Sequence, residues 1–553
     1  MNLDIIEKGY YEVWVDGKKV SQHSKSLKAS MRGQEEQNKN KDAEVIVKQP
    51  NLKIELTLSD DESDIESLKL KIEELQKKEI MYLSIIESLK NSSGSGVVTP
   101  VDSTLAFPSA IGAGAYVTGG RGGTVVHVTT TQDNVAGSLR EALTMTVKRE
   151  IVIDVSGVFT LNSLLALGTS NSDFTLNGQS APEGGITIDG DRVYIESVNQ
   201  CIVRHVRFKG GIDADNTPNS GDGLGNDSLT VTGDITNQIW DHCSFGFGAD
   251  ECASWYTTNS SRTVNNLTVQ RCLFTESVKG CIIGKEEDVF DVEGKITFVN
   301  NLFYNSGYRY PNIAGTGYRF DIFNNVSWSR TGRLIRGNGS FKLNHQGNYY
   351  DFGDSSVWAI NDQRLQLFSY GQIPQIYTTG NKIVSSNLGT PLTNTLAEMN
   401  ADNTLSWKRF NFGDPTYGDQ LPSNYFTGSQ FSLLGKSTTI LTADEALANV
   451  SIDVGCNKRL NADGTTSANI DTLDADALNQ IKLGNYTTPL DKSSYNVPSI
   501  TSVSRGGTYY VSNSHIPEAY ITAKGLTGTS TIHTELAPSG YTWLEEFLNE
   551  VDE

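Results

Sequence analysis

The chain has 553 residues, 37% hydrophobic and 20% charged, which excludes wholesale disorder and exceeds the length of one ordinary compact domain. Its formal net charge of -20 argues against a nucleic-acid partner, and an acidic polymer would be held only through local lysines, arginines or a bound metal. No run approaches the ~20 apolar residues of a membrane helix, so no membrane contact is expected.

Taken in order, residues 1–60 read as a small α+β attachment module. YYEVWVDGKKV (10–20) alternates apolar residues and carries an Asp-Gly turn. Residues 24–41 are polar with helical propensity, and AEVIVKQPNLKIELTL (43–58) returns to alternation twice. So small a unit has little core of its own, so it is expected to dock or oligomerise. The opening MNLDIIEKGYYEVWVDG has neither a basic start nor an apolar core of an export signal; synthesis and folding in a cytoplasm are expected.

Residues 61–91 read as a heptad stalk. Ile65, Leu68, Ile72, Leu75, Tyr82, Ile86 and Leu89 recur at spacings that keep one seam, with Glu79 as the break. A coiled-coil helix is expected, with a single amphipathic helix as the alternative. Residues 92–105 follow as a linker, opened by the Ser/Gly run NSSGSG (91–96).

From residue 106 the composition shifts to Gly, Thr, Asn and Val. AFPSAIGAGAYVTGGRGGTVVHVTT (106–130) lacks the strand–GxGxxG–helix setting of a nucleotide site, so its glycines are read as serving tight turns and close packing. GSLREAL (137–143) is expected to form a short capping helix. A repeat then appears in CIVRHVRF (201–208), IWDHCSF (239–245), TVQRCLF (268–274), TFVNNLF (297–303), DIFNNVSW (321–328) and NHQGNYY (344–350). Short alternating strands recurring at this period predict a stacked solenoid. The fold class expected is all-β, a right-handed parallel β-helix over 106–440. Asn300, Asn301, Asn324 and Asn325 are expected to stack at its turns. Residues 441–553, with helices at ADEALANV and GYTWLEEFLNEV, are expected to cover it. The six Cys, without a CxxC pair, read as buried small hydrophobes.

Loops on one face of such a wall would gather Asp227, Asp250, Glu251, Lys279 and Arg309. Three carboxylates can hold Ca²⁺, and the two cations can bind an acidic substrate or act on its proton. Asp241 and His242 are read as holding their loop together, and Asp213, Asp215 and Asp222 as solvated loop carboxylates.

Six segments in order resemble the pectate lyase family: AFPSAIGAGAYVTGGRGG, DSLT (227–230), DHCS (241–244), DECAS (250–254), KGCIIG (279–284) and the ending IPEAYITAKGL…GYTWLEEFLN. The resemblance covers about four fifths of the chain. It implies a polysaccharide lyase that cleaves an acidic, uronate-containing polysaccharide by calcium-assisted β-elimination. It also implies Asp227 and Asp250, with Glu251, as ligands of Ca²⁺, Lys279 as the binder of the substrate carboxylate, and Arg309 as proton abstractor. Asn312 then lies in the substrate site. Two departures stand out: Ser254 where many relatives carry an acid, and Asn312 and Ala314 where relatives carry a further cation. Fewer cations imply a different polymer or a weaker grip. The module, stalk and enzyme layout, without an export signal, resembles a phage tailspike. A homotrimer joined to a virion tail or baseplate protein is expected on that reading. A glycoside hydrolase using Asp241, Asp250 or Glu251, or a non-catalytic receptor-binding fibre, are the alternatives.

Overall fold

The computed structural model describes the backbone of strands Tyr11–Val15, Lys18–His23 and Val45–Lys48, and residues 104–552 apart from 212–226, 260, 287–292, 329–333, 352, 354–364, 369–372, 385–393, 410–418 and 512–513. Two units divide at residues 103 and 104. In the first, the three strands pair antiparallel with Tyr11–Val15 in the middle. The helix expected over 24–41 and the coiled coil expected over 61–91 lie outside the described residues.

In the second unit the chain visits three long parallel sheets in rotation. Asn199–Arg204, Arg207–Phe208 and Leu229–Thr232 belong to one coil, and Ile235–Asp241, Ser244–Gly246 and Glu251–Thr257 stack on them as the next. Among the described residues the sheets have nine, ten and nine strands. This is a parallel β-helix with an all-β wall. The expected repeats fall in register on one sheet, where Val203, Trp240, Val269, Phe298 and Ile322 are successive partners.

Like side chains stack inside. Phe208, Phe245, Phe274 and Phe303 form a column with ring centroids 5.4, 5.2 and 4.7 Å apart, each buried ring contributing roughly 1.5–3 kcal/mol. The turn after the ten-stranded sheet takes a left-handed residue in seven successive coils: His205, His242, Arg271, Asn300, Asn324, Gly347 and Gly380 have φ of 52°, 49°, 50°, 56°, 56°, 59° and 66°. The residue that follows points inward. Asn301, Asn325, Asn348 and Asn381 there form a ladder, each donating its side-chain amide to the side-chain oxygen of the next asparagine at 2.8–3.2 Å, with Asn403 the last acceptor. Cys272 continues the column at one end, its N–H donating to Asn301 Oδ1 at 2.8 Å. The expected stacking of four asparagines therefore needs correction. Asn301 and Asn325 stack, whereas Asn300 and Asn324 supply the left-handed backbone. All six cysteines are buried and free.

The flanks are covered by the first and last segments of this second unit. Phe107, Ala110 and Ala115 pack outside the ten-stranded sheet on Ile202 and Ile239. Gly114 lies so close that a Cβ there would sit 2.5 Å from the Gln238 carbonyl oxygen. Helix Leu139–Thr144, capped by Ser138, buries Leu139, Ala142 and Leu143 in the core. Helices Ala443–Val450 and Thr472–Leu483 lie along the third sheet, burying Val450, Ala477 and Ile481 against Leu273, Leu302 and Trp328. The tail thus covers a side of the wall. The last rung of the asparagine ladder is supplied by Asn403, just beyond helix Leu396–Ala401.

Candidate active site

The nine-stranded sheet that includes Leu229–Thr232, Glu251–Thr257, Lys279–Lys285, Asn312–Ala314 and Arg336–Asn338 carries the candidate residues at the start of its strands. Glu251 is the register partner of Lys279. Asp227 stands two residues before its strand and Arg309 three before its own. Neighbouring strands lie ~4.8 Å apart, so four coils suffice to bring together residues far apart in sequence.

Three carboxylates converge. Oxygens of Asp227, Asp250 and Glu251 lie within 4.8 Å of one another. Asp227 is only 4% exposed. One of its oxygens accepts from Ser254 Oγ at 2.6 Å and Thr230 Oγ1 at 3.1 Å, and the other from the Glu251 N–H at 3.0 Å. Burial, aided by the charge of Asp250 and opposed by these hydrogen bonds and by Arg192, pushes its pKa up to about 7. Asp227 is thus a buried carboxylate hydrogen-bonded by neutral donors. It lies beside two other acids, which is a poor arrangement without a cation. Oxygen-only donors of this kind suit a hard divalent ion such as Ca²⁺.

The two cations close the cluster from the following coils. Lys279 Nζ pairs with Asp250, and Arg309 pairs with Glu251. The Arg309 guanidinium is held below its ordinary pKa, chiefly by burial and also by the charge of Arg336, against the pull of Asp250 and Asp227. Its backbone is left-handed, φ 72°, and its carbonyl accepts from the Cys281 N–H at 2.9 Å. A Cβ on Gly280 would sit 2.4 Å from that oxygen, so the glycine is what allows the Arg309 loop to close onto the strand. Arg309 Nε is buried and has no hydrogen-bond partner among the described residues. Asn312, 6% exposed with its Oδ1 likewise unmet, opens the next strand.

Elsewhere the outcome differs. Asp241 is fully buried and accepts from Arg204 and Gln270 at 2.9 and 2.7 Å. His242 bridges Asp241 and Asp453 at 3.0 and 3.2 Å. Both therefore hold the turn, and Asp241 has no free edge with which to act as an acid or base. Asp213, Asp215 and Asp222 lie outside the described residues. Sequence reading missed Thr230 and Ser254 as donors to Asp227, and also Arg192 and Arg336, whose charges reach the site. The strand repeat carries the only signal for them, because they matter through register.

With this geometry in hand, comparison with known proteins is decisive. The model of the family "Pectate lyase" matches residues 96–368. "Probable pectate lyase C" of Emericella nidulans is 30% identical over 373 residues, covering 66% of this chain and 75% of the relative. The chain belongs to the pectate lyase family. It is accordingly a polysaccharide lyase. "Probable pectate lyase C" of Aspergillus terreus is 32% identical over 265 residues, covering 47% of this chain and 58% of the relative. Among solved structures, the cedar pollen allergen jun a 1 aligns with 65% of this chain and 99% of its own at 15% identity and a TM-score of 0.43. Pectate lyase Bsp165PelA from Bacillus sp. N165, solved with trigalacturonate, aligns with 63% and 98% at 16% identity and a TM-score of 0.41.

These relatives overturn the virion placement. They are named as probable pectate lyases of fungi, not as virion proteins. The virion reading rested on the order of segments ahead of the enzyme, and segment order carries no physical constraint on where an enzyme works.

Proposed function

We propose that this lyase cleaves a uronate-containing polysaccharide by β-elimination, with Asp227, Asp250 and Glu251 holding Ca²⁺ and with Lys279 and Arg309 acting on the sugar acid. The observation that supports it most is the convergence of three carboxylate oxygens with Lys279 and Arg309 paired onto them. Ca²⁺, when bound, would neutralise the uronate carboxylate and so acidify the adjacent C–H.

The residues of the chain supply the rest. Lys279 Nζ and the Arg309 guanidinium, here paired with Asp250 and Glu251, would turn to the substrate where a cation takes over those acids. Lys279 holds the C6 carboxylate, whose charge grows as the C5–H bond breaks. Arg309 takes the C5 proton at a guanidinium nitrogen. Burial and Arg336 make its neutral form more accessible than for a solvated arginine. The electron pair forms the C4–C5 double bond, and the glycosidic C4–O bond breaks with its oxygen leaving. Asn312, with an unmet buried amide oxygen, lies where it can accept from a sugar hydroxyl. The test is ultraviolet absorbance of the unsaturated product from acidic polysaccharides, with and without chelator. Reducing ends released without that absorbance would overturn elimination.

A further inference from the structure

After Arg309 the next strand, Asn312–Ala314, carries no cation that could meet a second carboxylate. Register shows where one stands. Tyr194, Thr230, Ser254, Ile282, Asn312 and Arg336 are successive partners along the site-bearing sheet. Their immediate neighbours Leu229, Val231, Ala253, Trp255, Ile283 and Ile313 are core residues, so this row faces away from the core. It is the outer surface beside the acid cluster. Arg336 is half-buried one coil beyond Asn312, and the row continues to Gln366 and Lys408.

We propose that Arg336 is a substrate-binding residue that holds the carboxylate of the sugar next along the polymer from the one on which Arg309 acts. Strands repeat every ~4.8 Å, close to the length of one pyranose unit, so consecutive coils meet consecutive sugars. Lys279 and Arg336 then face carboxylates on different sugars. A carboxylate placed between the guanidinium groups of Arg309 and Arg336 is attracted by both. Arg336 is the register partner of Asn312, three residues after Arg309, which brings the two groups into adjacent coils. The alternative role, that Arg336 only tunes Arg309 as base, uses the same proximity and makes a different kinetic prediction.

The inference rests on the elimination reading, and the experiment separates the two. Wild-type protein is first assayed with Ca²⁺ on a polyuronate; absence of unsaturated product overturns the elimination reading itself. Arg336→Gln and Arg336→Lys are then compared with it, after near-ultraviolet circular dichroism shows native packing. Arg336→Gln is expected to raise KM roughly tenfold or more, with kcat falling less than KM rises, and Arg336→Lys is expected to recover part of that loss. On a methyl-esterified polymer, which lacks carboxylate charge, the difference between wild type and Arg336→Gln is expected to shrink. An unchanged KM overturns the proposal. So does a loss confined to kcat that is restored by raising the pH, the signature of a residue that only tunes Arg309.

Discussion

Two clusters among the described residues bring three metal-competent side chains together: Asp227, Asp250 and Glu251, and, in the same two coils but at another sheet, His205, Asp241 and His242. Their chemistry is opposite. Burial raises Asp241, yet the charges of His242 and Arg204 outweigh it and hold the carboxyl well below the usual range. Its oxygens are taken by Arg204, Gln270 and His242. Among the described residues Asp227 accepts from two hydroxyls and an amide, and its pKa rises to about 7. A carboxylate already paired has nothing left to offer a ligand, whereas one desolvated without a cation has a strong preference for one. Position decides which is which. Asp241 ends its strand at a turn covered by the chain's own tail, including Asp453 and Asp552. Asp227 stands at the start of a strand on the outer face of the wall.

The contrast can be broken most directly through turnover. Lys279→Ala and Arg309→Ala are each expected to lower the rate of product formation by at least ~100-fold, while His242→Gln, in the other cluster, is expected to act on thermal stability instead; equal loss in all three would erase the distinction. Metal binding gives the next largest effect. Asp227→Asn is expected to weaken Ca²⁺ binding, measured by calorimetry, by ~10–100-fold. Asp241→Asn is expected to leave Ca²⁺ affinity in place and to cost about 3–5 kcal/mol of unfolding free energy, because Arg204 is left buried against a neutral partner.

The pH dependence sharpens the same comparison, with opposite signs. Asp227 has a folded pKa above its unfolded value of ~3.9, so its contribution to the metal-free protein is fully present below that value and is lost as pH rises through about 7. Asp227→Asn should therefore flatten the fall in melting temperature between pH 4 and 7, roughly. Asp241 is depressed, so its contribution is present above the unfolded value and is lost only as pH falls through its low folded pKa. Asp241→Asn should cost most at neutral pH and least in strong acid. Smallest of all is a pair in neither cluster. Arg262 and Asp234 meet at 2.8 Å with side chains 40% and 39% exposed, and Arg262→Ala should change stability by less than ~1 kcal/mol.

The sequence by itself determined the wall. Its alternating strands recur, and each recurrence needs an inner residue, a left-handed residue and a partner one coil away; IWDHCSF, TVQRCLF and TFVNNLF show that pattern openly. It also named the groups of the candidate site, Asp227, Asp250, Glu251, Lys279 and Arg309, which the fold brings to strand starts of one sheet. Only the tertiary structure decided what those groups meet. It alone showed that Asn301 and Asn325 stack while Asn300 and Asn324 turn the chain. It alone showed that Ser254 serves Asp227 as a donor at 2.6 Å, and that Arg336 stands beside Asn312. The physical reason is register: a one-dimensional pattern records which residues face outward, but the neighbour across a parallel ladder depends on the length of every intervening loop, and those lengths vary from coil to coil.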